Sequence, residues 1–317
     1  MQRYILQRLL LTIPTLLGVT AILFVMLRTM PGSIVELIAG DFGVGDEATR
    51  QAIMAEFGLD ENWVVQYVKW SSQVARGDFG TSLMSGRPVM DELGHRLPVT
   101  FELGVLTILI TTVVAIPIGV VSAIRQNTAA DYVGRSVAIG FLAAPNFWIA
   151  LLLIVVAGRY FVWAVPPTEY PTLTEDPISN LKFMVLPAVI LGISSAGGVM
   201  RFTRSSMLEV LRQDYVRTAH AKGLRERVVI TRHVLRNALI PVVTVIGSQI
   251  PFVVGGTIII ESIYSIPGMG RYYFTALGNL DFPIVQAIVL ISAIVVILSN
   301  LLVDISYSWL DPRIRYD

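Results

Sequence analysis

The residues able to do chemistry are few and scattered. The histidines are His95, His220 and His233, far apart in sequence, and cysteine is absent, which excludes disulfides, thiolate metal sites and cysteine nucleophiles. A metal site is therefore not expected. No G-x-x-x-x-G-K-[ST] loop occurs, and no Gly-Lys pair exists from which one could be built. The chain thus has no P-loop for nucleotide phosphates. Ion-coupled carriers place ionisable groups in mid-bilayer, where they are costly and functional. Here Glu102, Glu261 and Asp304 fall only at the edges of apolar runs, where water or headgroups can reach them. An intramembrane enzyme would need a nucleophile paired with a base, and within the runs only Ser and Thr are available. No catalytic residue is expected.

A chain with no motor of its own needs a docking surface for one, and the basic loop 201–236 is the candidate. Asp214-Tyr215-Val216-Arg217-Thr218-Ala219-His220-Ala221-Lys222-Gly223 reads as a short helix. Asp214 suits the N-cap and the positive end of the helix dipole. Gly223 can adopt the left-handed conformation that stops a helix. Tyr215, Val216 and Ala219 share one face, while Arg217 and Lys222 lie off it. Such a face fits insertion into a partner's groove. A helix lying on anionic headgroups fits the nine basic residues of the loop equally well. Nucleic acid is not an expected partner.

The elements that must position this loop are membrane spans. Of 317 residues, 54% are hydrophobic and 15% charged, and the mean hydropathy is +0.67. Soluble domains carry about 25% charged residues, so the balance points to lipid. Charge-free runs of 18 to 24 residues cover 9–27, 103–124, 136–158, 183–200, 237–260 and 282–303. Each is long enough to cross a hydrocarbon core of about 30 Å. The expectation is an all-α integral membrane protein with six transmembrane helices in one domain. The first run follows Arg3 and Arg8 but exceeds a signal-peptide core and lacks a small-x-small site, so it is read as a retained anchor. Pro and small residues within the spans, such as Gly192 to Gly198, are read as helix packing.

Charge sets the orientation. Segments 1–8, 125–135, 201–236 and 304–317 carry 15 basic residues, against 3 in the loops 159–182 and 261–281. Both termini are therefore expected on the cytoplasmic side. Residues 28–97 form the one sizeable outer segment, a small extracytoplasmic helical insertion with an amphipathic stretch from Trp63 to Trp70. At under about 70 residues it would be marginal alone, so it should pack on the bundle. At the outer end of the fifth run stand Glu261, Tyr264, Pro267 and Gly268. They read either as an outer gate on the transport path or as a solvated helix end.

The loop also carries a family resemblance. Tyr215 to Leu224 resembles the Y-V-R-T-A-x-A-K-G-L form of the coupling loop in inner-membrane permeases of dipeptide, oligopeptide and nickel ABC importers. Arg217, Thr218 and Ala219 occupy the positions that read E-A-A in the general pattern. Gly77-Asp78-Phe79-Gly80-Thr81-Ser82, Arg96 to Thr100, Pro145-Asn146-Phe147-Trp148, Glu261 to Gly270 and Leu310 to Arg315 are similar to that group as well, as is the opening Arg8 to Gly32, where Ser33 replaces a common Asp. The resemblance implies the type I ABC importer permease fold. It also implies a lipid-embedded complex in the bacterial inner membrane with a second homologous permease subunit, two ATPase subunits and an extracytoplasmic substrate-binding protein. ATP and Mg would then sit on the ATPases, with no cofactor on this chain. Asp214 to Gly223 would couple to an ATPase. An ion-coupled secondary transporter is the alternative.

Overall fold

The computed structural model describes residues 2–29, 60–160 and 170–310. Residues 31–33 and 311–315 of the family pattern lie outside the described residues, as do most of the first half of the 28–97 insertion and the Asp304 side chain. The chain divides into two compact units, residues 98–271 with both termini, and residues 6–97 with 272–295.

The smaller unit is built on α1 (Gln2–Thr29) and α2 (Trp63–Ala75). Asn62 caps α2 by accepting from the Val64 N–H at 2.9 Å. The amphipathic stretch is helical, and its aromatic side grips α1. Phe24 packs edge-on against Tyr67 at 5.6 Å and lies 6.3 Å from Trp70. The Tyr67 hydroxyl donates to the Leu17 carbonyl at 3.1 Å. Ser82, which closes the Gly77-to-Ser82 motif, donates to Asp281 at 2.5 Å and so ties the loop to the start of α11 (Phe282–Leu310).

The larger unit is organised around α6 (Pro177–Leu211), the most buried of the long helices. With 35 residues it is about 52 Å long, more than a bilayer core requires. It packs with α3 (Val89–Ile124), with α4 (Ala129–Ala143) and α5 (Asn146–Tyr160), and with α8 (Glu226–Ser248) and α9 (Ile250–Ile263). Its small residues explain the close approach. A Cβ on Gly192 would come within 2.8 Å of Ile110 on α3, and one on Gly197 within 2.8 Å of Leu142 on α4. On the outer side of α3, Phe101, Val105, Leu109 and Val113 form an exposed apolar stripe at four-residue spacing. Such a stripe marks a surface covered by lipid or by another protein.

Two apolar runs are broken. The run 136–158 is two helices that meet at a sharp bend, because Ala144 is extended (ψ 124°) ahead of Pro145. The run 237–260 is divided at Gln249 between α8 and α9, with Pro251 in the first turn of α9. Among the described residues four helices are long and apolar enough to cross a membrane, and the bent α4–α5 pair makes up to five. The apolar stretch of α1, Leu10–Met26, is shorter.

Candidate coupling helix and outer turn

The short helix of the basic loop is present as α7 (Asp214–Ala221). Its N-cap is Gln213, so Asp214 occupies the first helical position, where its charge still meets the dipole. The helix ends in a Schellman arrangement. Gly223 has φ 75°, its N–H donates to His220 O at 2.9 Å, and the Leu224 N–H reaches Ala219 O at 3.4 Å. A Cβ on Gly223 would meet nothing within 4 Å, so glycine is required there by the backbone alone.

The apolar face of α7 does not point outward. Val216 and Ala219 are buried in a cluster with Met207 of α6, Ala123 of α3, and Val229, Ile230, Val234 and Ala238 of α8. This overturns the expectation that Tyr215, Val216 and Ala219 form one face free to enter a groove. The chain itself supplies the groove. Residues Val229–Leu235 of α8 are π-helical, a local widening often found at functional sites. Tyr215 stays 43% exposed and accepts from Asn237 Nδ2 at 3.0 Å. Asp214, Arg217, Thr218 and Lys222 are exposed, with Arg217 3.7 Å from Asp214. His220 contacts the Glu226 carboxylate at 3.2 Å and so ties α7 to the first turn of α8. The outward surface is therefore polar and mixed in charge, with one aromatic ring.

The second group is the turn after α9. Glu261 is not a solvated helix end; it is fully buried. Thr100 Oγ1 donates to Glu261 Oε1 at 2.8 Å, and the Arg271 N–H donates to Oε2 at 3.0 Å. The Met269 N–H closes the knot by donating to Thr100 Oγ1 at 2.8 Å. Gly268 is small because the Glu261 carboxylate, Oε2 nearest, fills the space a Cβ would take, whereas a Cβ on Gly270 would meet the Ile258 main chain at 2.5 Å and Glu261 Oε2 at 2.9 Å. Ser265 adopts φ 54° at the stop of α9, and its carbonyl accepts from Arg271 Nη1 at 2.7 Å. Tyr264 is buried with Leu103, Met184 and Ile266, whereas Pro267 is half-buried. The structure thus brings Glu261 and Gly268 into contact. Glu102 is also partnered, because the Tyr170 hydroxyl donates to it at 3.3 Å and Asn180 Nδ2 to Tyr170 at 3.0 Å.

A third group went unread in the sequence. Asp131, at the start of α4, is fully buried and receives Arg204 of α6 through two parallel bonds, Nε to Oδ1 at 2.7 Å and Nη2 to Oδ2 at 2.8 Å. Ser122 of α3 donates to Oδ1 at 2.6 Å, and the Asn127 N–H to Oδ2 at 3.0 Å. One carboxylate therefore joins three helices near the seat of α7. Asp131 and Arg204 are 73 residues apart, so no local spacing links them.

Residues 115–316 match the family described as binding-protein-dependent transport system inner membrane component, and residues 1–104 match its N-terminal companion. The oligopeptide transport system permease protein AppB of Bacillus subtilis is 40% identical over 319 residues, covering all of both chains. The dipeptide transport system permease protein DppB of Escherichia coli K12 is 40% identical over 338 residues, covering 100% of this chain and 99% of that one. The crystal structure of an amino acid ABC transporter with histidines shares the fold, with a TM-score of 0.52 at 14% identity over 69% of this chain and 94% of that one. Long apolar helices, two family matches and full-length permease relatives give one conclusion: the chain belongs to the binding-protein-dependent inner membrane component family and is a permease subunit of an ABC importer, not an enzyme.

Proposed function

We propose that this permease carries peptides, forms half of the translocation path with a second homologous permease, and docks an ATPase through the outward side of α7. The substrate class follows the names of its relatives, which are oligopeptide and dipeptide permeases. In this reading the chain crosses six times, α1 and the α4–α5 pair each counting as one span. Both termini and α7 are cytoplasmic, and α2 belongs to an extracytoplasmic insertion that faces the substrate-binding protein. Two ATPase subunits carry ATP and Mg. The turn Glu261, Tyr264, Pro267, Gly268 is the outer gate, with Glu261 holding the closed arrangement.

The observation that carries the docking reading is the burial of Val216 and Ala219 within the chain's own bundle. It leaves Asp214, Tyr215, Arg217, Thr218 and Lys222 facing away, on a helix that cannot turn without emptying its seat. Closure of the ATPases would push this rigid face, and α8 and α6 beneath it would receive the displacement. Gly223 fixes where the helix stops.

The experiment is reconstitution of the full importer with its binding protein. Tyr215→Ala combined with Arg217→Glu should lower ATPase co-purification several-fold while the permease pair stays assembled. Uptake of a labelled dipeptide or oligopeptide should stop when the ATPase is inactivated and should persist when the proton gradient is collapsed. Uptake that survives ATPase loss would restore the ion-coupled reading, and unchanged co-purification would move the docking surface elsewhere.

A further inference from the structure

A half-open cleft lies between α3, α4 and α6, beside the Asp131 cluster. Its walls change character along the helices in register. Ile118 precedes Ser122 on α3, Ile139 and Leu142 follow Arg135 on α4, and Met200 precedes Arg201 and Arg204 on α6. One end of the cleft is thus apolar on all three helices, and the other end is cationic. The boundary coincides with the ends of the charge-free runs, at Ser136 on α4 and Met200 on α6. In a bilayer these are the positions where hydrocarbon gives way to headgroups.

The charges at this end are not balanced. Three arginines line the cleft and no carboxylate does. Asp131 lies behind them and is taken by Arg204 through the two parallel bonds. Arg135 reaches Asp131 only at 3.6 Å, with its side chain 44% exposed and its guanidinium over the Tyr132 ring at 4.7 Å. Arg201 is exposed. Two positive charges therefore face the cleft. At the apolar end, Ile139 is 66% exposed and Leu142 50%, surface that water would solvate poorly.

We propose that this cleft binds one anionic phospholipid, its phosphate between Arg135 and Arg201 and an acyl chain along Ile139 and Leu142. Basic pockets between membrane helices recognise acidic headgroups in this way, each arginine adding attraction that zwitterionic lipids, with their own positive group, receive less of. Arginine forks also match phosphate oxygens in pairs. A helix of a second permease would meet the apolar half but offers no reason for two unbalanced cations at headgroup depth. The lipid rests only on the chain's membrane location and is independent of the transported substrate. Because Arg204 is shared with Asp131, an occupied cleft would lie directly on the contact joining α4 to α6, next to the seat of α7.

The test is native mass spectrometry of the purified permease complex after exchange into detergent with phosphatidylglycerol or phosphatidylcholine. The parent should retain phosphatidylglycerol preferentially. Arg135→Gln with Arg201→Gln should lower that retention about tenfold or more, each lost cation weakening phosphate binding. Arg135→Lys with Arg201→Lys should keep most of it, and Arg159→Gln, an exposed arginine at the far end of α5, should change nothing. Glycerol phosphate, the headgroup without chains, should not displace the lipid. Equal retention of both lipids, an unaltered double-Gln variant, or displacement by glycerol phosphate would overturn the proposal. So would a photo-cross-link from position 139 to the second permease chain. If the double-Gln variant fails to assemble, the parent's preference and the double-Lys variant still decide the matter.

Discussion

Two carboxylates, Asp131 and Glu261, are both fully closed to solvent, yet they are held in opposite ways. Asp131 is enclosed by the groups that bind it. Its partner Arg204 is still 17% exposed, and Arg135 waits as a second cation 3.6 Å away. Glu261 is enclosed by depth, beside the buried Gly268 and Gly270, and its donors are the Thr100 and Thr257 hydroxyls and main-chain N–H groups. The first arrangement can exchange one cation for another as helices shift. The second cannot release its carboxylate without disturbing the turn, because the Arg271 N–H that holds Oε2 belongs to the turn itself. The Asp131 cluster can therefore adjust, while the turn proposed as the gate is held by donors fixed in the main chain and on α3.

The largest effect should come from removing the charge partner of Asp131. Arg204→Ala strands a carboxylate that Arg135 can only partly compensate. The cost falls between the roughly 1 kcal/mol of an exposed pair and the roughly 3–5 kcal/mol of a deeply buried one, about 3 kcal/mol. Adding Asp131→Ala should restore part of the loss, read as the thermal unfolding midpoint of the detergent-solubilised permease. A double variant as unstable as the sum of the singles would show that the two residues do not act as a pair. Gly268→Ala tests the other site and should cost about 2 kcal/mol, since a methyl group must displace the Glu261 carboxylate in a packed interior. Combined with Glu261→Ala, the glycine change should become nearly harmless. If it stays equally harmful, the glycine answers to the backbone and the carboxylate is not what fills its space.

The sequence exposes these two sites very unequally, and the reason is distance along the chain. The stop of α7 at Gly223 is legible because its cause is local: a glycine placed after a short amphipathic stretch. The apolar face holding Val216 and Ala219 is legible from spacing, but spacing does not say whose surface covers it. Here the cover is α8 of the same chain. The runs 136–158 and 237–260 are correct as apolar segments. Hydropathy averages over the breaks at Pro145 and Gln249 that make each of them two helices. Glu261 reads as a helix edge because counting places it after the last apolar residue. Its burial is decided by Thr100, 161 residues earlier, and by glycines that let the chain fold back over it. Arg204 enters the sequence reading only as one basic residue in a tally of orientation and Asp131 not at all, and only the packing of α4 on α6 makes them one object.

The smallest effect on stability, and the one that best separates structure from function at the turn, is expected from Glu261→Gln. The amide keeps one oxygen, which can still accept from Thr100. Its nitrogen then faces the Arg271 N–H, a donor against a donor, where Oε2 accepts at 3.0 Å. One lost bond with one unsatisfied main-chain group amounts to about 1 kcal/mol net, since the side chain keeps its shape and the glycines keep their space. The folded permease should therefore assemble with its partner and bind the ATPases normally. If the turn is the gate, a closed state weakened by about 1 kcal/mol is populated roughly fivefold less against the open one. ATP hydrolysis without loaded binding protein should rise by a similar factor, and stimulation by loaded binding protein should shrink. Thr100→Val, which deletes the hydroxyl on the other oxygen, should give the same signature by a separate route. Basal hydrolysis and stimulation that match the parent in both variants, with the midpoint lowered as expected, would leave Glu261 as a structural anchor and place the gate elsewhere.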